Sequence, residues 1–213
     1  VKLVPATAQS LPIIEKNGQV YTFKIKSGIY FTDDPAFKGK RRELVAEDYV
    51  YSIKRILDPK NHAPSFSFIY NKLVGANALV EQANKTGQFN YDAKIEGVKA
   101  LDKYTIQFKL TQPDYNFPYI LAYSTFGATA REVVEYYKDQ LGMHPVGTGP
   151  YMLSRYVPRS KIELIANPDY RGFVWNFKST GTAWDNQLVK QMSGKPMPQI
   201  GKVNISIIEE EQS

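Results

Sequence analysis

Between Tyr104 and Thr111 the chain alternates without interruption. Tyr104, Ile106, Phe108 and Leu110 fall on one side, and Thr105, Gln107, Lys109 and Thr111 on the other. A two-residue period of apolar and polar side chains specifies a β-strand with one buried and one wet face. Asp102-Lys103 precedes it as a turn, and residues 94–101 precede that, so 94–111 reads as a hairpin. The same period recurs at Tyr21, Phe23 and Ile25, until Ser27-Gly28 breaks it, and at Val203, Ile205 and Ile207. Tyr151–Val157 and Lys161–Ile165 read as a further pair of strands. These strands require other elements to cover their apolar faces.

The helices that could do so follow a different period. From Ala46 to Leu57, Tyr49, Val50, Ile53, Ile56 and Leu57 share one face. Glu47 and Asp48 stand in the first turn and Lys54 and Arg55 in the last, matching the helix dipole, and Asp58-Pro59 ends the helix. Val45 stands at the capping position but has no side-chain oxygen to accept a hydrogen bond. Further helices are expected near Val74–Ala83 and over 129–140, and a short one within the aromatic stretch Pro113–Phe126. Residues 1–19 and 173–200 read as mostly irregular. Strands and helices mix without strict alternation, which points to an α/β fold of mixed α+β character.

Composition narrows the function. The 213 residues include fifteen tyrosines and eleven phenylalanines. Such aromatics suit either a β-rich core or a binding surface with large contact area at small entropy cost. Cysteine is absent, which excludes disulfides, thiolate metal sites and a cysteine nucleophile. Two histidines far apart, His62 and His144, argue against a histidine-rich metal centre. The net charge of +6 is mild. Its main basic run, Lys38, Lys40, Arg41 and Arg42, adjoins Asp33 and Asp34 and reads as a solvated loop, not a nucleic-acid patch. No apolar run reaches the length of a membrane span, and no signal peptide is visible. The start at Val1-Lys2-Leu3 without methionine and the ending Glu209–Ser213 lead us to expect a fragment or a processed piece.

Catalytic signatures are lacking. There is no G-x-S-x-G elbow, H-E-x-x-H pair or P-loop lysine. Gly147-Thr148-Gly149 begins like a dinucleotide fingerprint but lacks its third glycine, and Pro150 and a strand follow where a helix would be needed. We expect a binder and not an enzyme, with no catalytic residue, metal or cofactor.

Four stretches in register carry a resemblance. They are Tyr21–Phe31; Ala46–Arg55 with Asp58-Pro59; Leu101–Leu110 with Pro113; and Pro145–Tyr151 with Asn167-Pro168-Asp169-Tyr170. Together they resemble the extracytoplasmic solute-binding proteins of ABC importers, in the oligopeptide/dipeptide-binding family, solute-binding family 5. The resemblance covers nearly the whole chain. It implies a periplasmic-binding-protein-like fold of type II, here partial. Residues 1–127 resemble the family's outer domain and 128–213 part of its first ligand-binding lobe, with the second lobe absent from this chain. It implies capture of a peptide or similar small solute between two lobes and delivery to an ABC permease, in a periplasmic or otherwise extracytoplasmic location, with no nucleic-acid partner. Alternatives are a sensory or scaffold binding protein on the same fold, and a hydrolase. The insert Asp33–Glu43 departs from the common family pattern. Ligand-binding positions implied on this half are Ser65, Phe66, Tyr123, Ser124, Thr125, Thr148 and Gly149. Phe66 and Phe68 are more often core than ligand platform, and Gly147 and Gly149 most often serve turn geometry, since glycine allows positive φ.

Overall fold

The computed structural model describes residues 2–208. The ending Glu209–Ser213 lies outside the described residues, as does Val1. The chain divides into two compact units, Val1–Ile29 with Glu43–Tyr136, and Tyr30–Arg42 with Tyr137–Ser213.

The first unit is built on a four-stranded antiparallel sheet. Its strands are β1 (Ile13–Glu15), β2 (Val20–Lys24), β3 (Val98–Asp102) and β4 (Thr105–Lys109), in the order β1-β2-β4-β3. The alternating stretch therefore lies inside the sheet, paired on both sides. Phe108 stands opposite Tyr21 on one neighbour and Val98 on the other. Tyr21, Ile106, Phe108 and Leu110 are all buried. Thr105, expected on the wet side, is also buried, because both neighbouring strands flank it. Strand β1 escapes periodic reading for a simple reason. All three of its residues are exposed at the sheet edge, so no buried face imposes alternation.

Helix α1 (Ala46–Leu57) packs against β3 and β4 with Ala46, Val50, Ile53, Ile56 and Leu57 buried. Leu57 is fully buried, a burial of roughly 1.5–3 kcal/mol for a side chain of this size. Val45 offers no capping oxygen, and the capping bond comes instead from Asp48 within the first turn. The Asp48 carboxylate accepts the Val45 N–H at 2.8 Å, and negative charge in the first turn suits the dipole. Short α2 (Phe66–Ile69) precedes α3 (Ala76–Thr86), which runs through the polar Asn84-Lys85-Thr86 to stop at Gly87, φ 70°. Polar residues end a helix only when a residue can turn the chain, and Gly87 is the first that does so cheaply. Helix α4 (Phe117–Leu121) brings Phe117 against Tyr21 at 5.5 Å and Phe108 at 5.3 Å between ring centroids. One glycine here is dictated by packing: a Cβ on Gly97 would lie 2.6 Å from the Val74 nitrogen. Helix α5 (Arg131–Tyr137) buries Val133 and gives way to a 3-10 segment over Lys138–Met143.

The second unit holds a three-stranded antiparallel sheet, order β5-β6-β9, from β5 (Tyr151–Val157), β6 (Lys161–Ala166) and β9 (Lys202–Ser206). Between β6 and β9 lie β7 (Phe173–Val174), α6 (Ala183–Met192) and β8 (Pro196–Met197), with β7 and β8 paired. The irregular reading of 173–200 is thus corrected at α6. Its N-cap Thr182 accepts the Asp185 N–H at 3.2 Å. No residue of α6 is buried, so the apolar stripe that betrays a helix in sequence is weak.

Residues Tyr30–Arg42 join this second unit through specific bonds. The Thr32 N–H donates to the Gly147 carbonyl at 2.9 Å, and the Tyr137 hydroxyl donates to Asp34 at 2.9 Å. The basic run is solvated, but Ala36 and Phe37 beside it are buried, and Phe37 meets Phe31 at 6.2 Å. The sequence reading divides the chain after residue 127 and keeps 30–42 with the first part. The compact units divide after Tyr136 and send 30–42 to the second, because this loop's hydrogen bonds reach residues 137–147.

Candidate functional site

The residues implied as ligand-facing fall into two groups, one in each unit. In the first unit, Pro59–Asn61 form a 3-10 turn after α1, and His62 follows with φ 46°, exposed at the surface. Pro64 and Ser65 then lead into α2. Ser65 is only 4% exposed and its carbonyl accepts the Phe68 N–H, so its part is in the packing of the turn. Phe66 is half-buried and stacks on Tyr70 at 4.7 Å, while Phe68 is exposed.

Tyr123 meets this loop. Its ring stacks on Phe68 at 5.8 Å with an interplanar angle of 19°, and it is 60% exposed. Ser124 and Thr125 follow in an exposed 3-10 turn, Ser124–Phe126, which is anchored by buried Phe126. Tyr115 and Tyr119 are exposed as well. Only Tyr119 lies within α4: Tyr123 has extended backbone, φ −68° and ψ 142°, and Tyr115 precedes the helix, with its ring beside Gly18. The sequence reading singled out Tyr123 and passed over Tyr115 and Tyr119. The aromatic composition of Pro113–Phe126 is the signal that marks them in sequence. Tyr123 and Phe68 offer stacked, exposed aromatic faces to apolar partners.

In the second unit the glycine stretch is held by its carbonyls. Gly147 accepts from Thr32 as above. Thr148 accepts from Arg171 Nη1 at 3.4 Å, and Gly149 accepts from Asn167 Nδ2 at 2.9 Å. Asn167 is 5% exposed, and its Oδ1 also accepts the Asp169 N–H at 3.0 Å. The expectation that the two glycines serve a turn with positive φ is corrected. Neither Gly147 nor Gly149 is among the residues of positive φ, and a Cβ on either would meet nothing within 4 Å. The bend is held by the Asn167 amide and the Thr32 N–H instead. Arg41 lies beside this stretch's partners: its guanidinium bonds Asp169 at 3.0 Å and covers the Tyr30 ring at 3.9 Å.

Among the described residues, no group of three His, Cys, Asp or Glu stands together in a way that could hold a metal ion. Among the described residues, no helix is long and apolar enough to cross a membrane. A pronounced electrostatic perturbation lies at Glu43, outside both groups. Glu43 accepts from Lys103 at 2.8 Å, from the Gly28 N–H at 2.7 Å and from the Tyr104 hydroxyl at 2.9 Å. The Lys103 bond, then the Gly28 N–H, hold its carboxyl down to about 2. That trio ties the β3–β4 turn to the chain entering α1, a structural task.

The architecture is that of the periplasmic-binding-protein-like substrate-binding domains. The chain aligns with Listeria monocytogenes OppA bound to peptide with a TM-score of 0.68 at 20% identity, over 96% of this chain and 34% of that one. It aligns with the Haemophilus influenzae OppA complex with RPPGFSPFR with a TM-score of 0.64 at 25% identity, over 80% of this chain and 31% of that one. The model of the bacterial extracellular solute-binding proteins, family 5 Middle, matches residues 2–213, and the chain belongs to this family. It is 30% identical over 174 residues to di/tripeptide-binding protein 2 of Pseudomonas aeruginosa, covering 79% of this chain and 30% of that protein. It is 28% identical to the oligopeptide-binding protein AmiA of Streptococcus pneumoniae, covering 79% of this chain and 25% of that protein. The chain thus spans less than a third of the length of these curated relatives.

Proposed function

We propose that this chain is part of the substrate-binding component of an ABC importer that captures peptides outside the cytoplasm. The observation that carries the reading is the family match across residues 2–213, with relatives named for di-, tri- and oligopeptide binding. Residues 1–127, apart from the 30–42 loop, act as the outer domain, and 128–213 together with that loop act as part of the first lobe. A peptide docks in a cleft between lobes, and closure about a hinge buries it. Main-chain hydrogen bonds hold the peptide, and water fills the side-chain pockets, so that many sequences are accepted. The loaded protein then docks on a membrane permease. It carries out no chemical step and needs no metal or cofactor.

On this reading Tyr123, stacked on Phe68, supplies an aromatic wall, with Ser124 and Thr125 as polar partners beside it. Phe66 supports that wall through its stack on Tyr70, and Ser65 fixes the turn that carries both. Thr148 and Gly149 contribute from the second unit. The test is native mass spectrometry of the full-length protein purified from its source, followed by calorimetric titration with defined peptides. Co-purified masses of short peptides and reversible binding are expected. Hydrolytic turnover of the peptides, or a bound species of another class, would overturn the reading.

A further inference from the structure

Strands β6 and β9 are hydrogen-bonded neighbours in one sheet, yet the chain between them makes an excursion over residues 167–201. The excursion is held together by its own bonds. β7 pairs with β8, the Trp175 N–H donates to the Lys195 carbonyl at 2.9 Å, and the Gly194 N–H donates to the Trp175 carbonyl at 3.0 Å. No residue from 173 to 200 is buried. Helix α6 holds Leu188, Val189 and Met192 half-buried, which supplies its folding face, and leaves Trp184 and Lys190 exposed. Trp184 is 71% exposed, and Phe173, Val174, Phe177 and Ile200 are exposed as well. One exposed apolar side chain is ordinary, but a gathering of them in so short a stretch, with a tryptophan among them, points to a partner.

The charges select that partner. Residues 173–200 carry Lys178, Lys190 and Lys195 against the single acid Asp185, whereas the whole chain is nearly balanced, with 27 basic and 21 acidic residues. Asp185 is engaged inside the excursion, where its carboxylate accepts from the Thr180 N–H. All three lysines are exposed. Protein–protein interfaces gather aromatic residues but shed lysine. A phospholipid surface takes both. Tryptophan and phenylalanine settle at the headgroup level, and a lysine stem lies along the apolar layer while its ammonium reaches a phosphate. We propose that the β7–α6–β8 excursion docks the protein on the surface of an anionic phospholipid bilayer, through Phe177 and Trp184 with Lys178, Lys190 and Lys195. The contact is peripheral, and its electrostatic part is screened by salt. It rests on the importer reading above for its purpose, holding the loaded protein near a permease, but not for its chemistry.

The test uses the full-length protein, prepared free of covalent lipid, with vesicles of phosphatidylcholine alone and of phosphatidylcholine mixed with phosphatidylglycerol. Cosedimentation is expected with the anionic vesicles, falling as salt rises, and only weakly with the neutral ones. Replacing Lys178, Lys190 and Lys195 together by Gln should lower the partition coefficient about a hundredfold, and Phe177→Ala with Trp184→Ala about tenfold or more. The unfolding midpoint and the affinity for trialanine should stay as in the unsubstituted protein, because these side chains are exposed. Equal binding to both kinds of vesicle, or binding to neither, overturns the inference. A lowered midpoint in the Phe177→Ala, Trp184→Ala variant also overturns it, by showing this face covered by another part of the same protein. Lysine-dependent retention on immobilised polyglutamate without vesicle binding identifies an acidic protein partner and overturns it likewise. Anionic vesicle binding by a protein that binds no peptide sustains this inference and overturns the peptide-binding reading, and peptide binding without vesicle binding does the reverse.

Discussion

The two compact units bury their apolar side chains by different means. In the first, a sheet with α1, α3 and α4 encloses a continuous core that includes Tyr21, Leu57, Ile69, Leu73 and Phe117, each no more than 1% exposed. In the second, the described buried residues are Phe31, Thr32, Ala36, Phe37 and Asn167, and none lies on a strand. Every residue of β6 is half-buried, and Ile205 on β9 is 42% exposed. The second unit is organised instead by backbone ladders and by the polar ties of Asn167, Thr32 and Tyr137. A hydrophobic core is cooperative and leaves its mark on sequence as periodicity. These polar ties each join single groups, two of them from distant parts of the chain, and leave no such periodic mark.

The widest separation between the units is expected from truncating apolar side chains. Phe117→Ala and Leu57→Ala should each cost about 3–5 kcal/mol in urea unfolding, because the cavity cannot collapse in a filled core. Ile205→Ala should cost about 1 kcal/mol or less. A cost for Ile205→Ala equal to that for Leu57→Ala would break the comparison, showing the β5-β6-β9 sheet covered in the intact protein.

The polar ties of the second unit come next. Asn167→Ala removes the donor to Gly149 and the acceptor for Asp169, and should cost about 1–3 kcal/mol by the same measurement. An unchanged midpoint would show that these bonds do not organise the unit.

In the first unit, Glu43→Gln should cost about 1 kcal/mol near neutral pH, after allowance for solvent screening at this partly exposed site. The sign of the pH dependence follows from the depressed carboxyl. Its folded value near 2 lies below the ordinary glutamate value of 4.5. The stabilisation is therefore complete above about 4.5 and is lost as pH falls towards about 2. The gap in melting temperature between wild type and Glu43→Gln should close over that window, and a gap independent of pH would contradict the Lys103 bond as its cause.

The smallest effect on stability is expected at the aromatic wall. Tyr123→Ala should shift the unfolding free energy by no more than about 0.5 kcal/mol, since the side chain is largely exposed. Its affinity for trialanine should nevertheless fall measurably in calorimetry. A large loss of stability with unchanged affinity would reassign the Phe68–Tyr123 stack to packing.

Legibility followed the same division. Helix α1 matches its sequence bounds because its stripe faces a core and Asp58-Pro59 ends it. The β3–β4 hairpin was readable because alternate residues meet different environments. Strand β1 and helix α6 were not, since neither buries a face. At the site, sequence alone drew attention to Tyr123 and the glycines. The pairing of Tyr123 with Phe68 spans residues far apart in sequence, and only folding brings their rings together.

Local periodicity, helix stops and four motifs in register were enough to determine the mixed α/β class and the family, because each depends on residues close in sequence. The tertiary structure decided where the long 30–42 loop belongs, which tyrosines face solvent, and that Gly147 and Gly149 have open space in place of a turn's constraint. Those depend on hydrogen bonds and packing between distant segments, whose energies no local window of sequence contains.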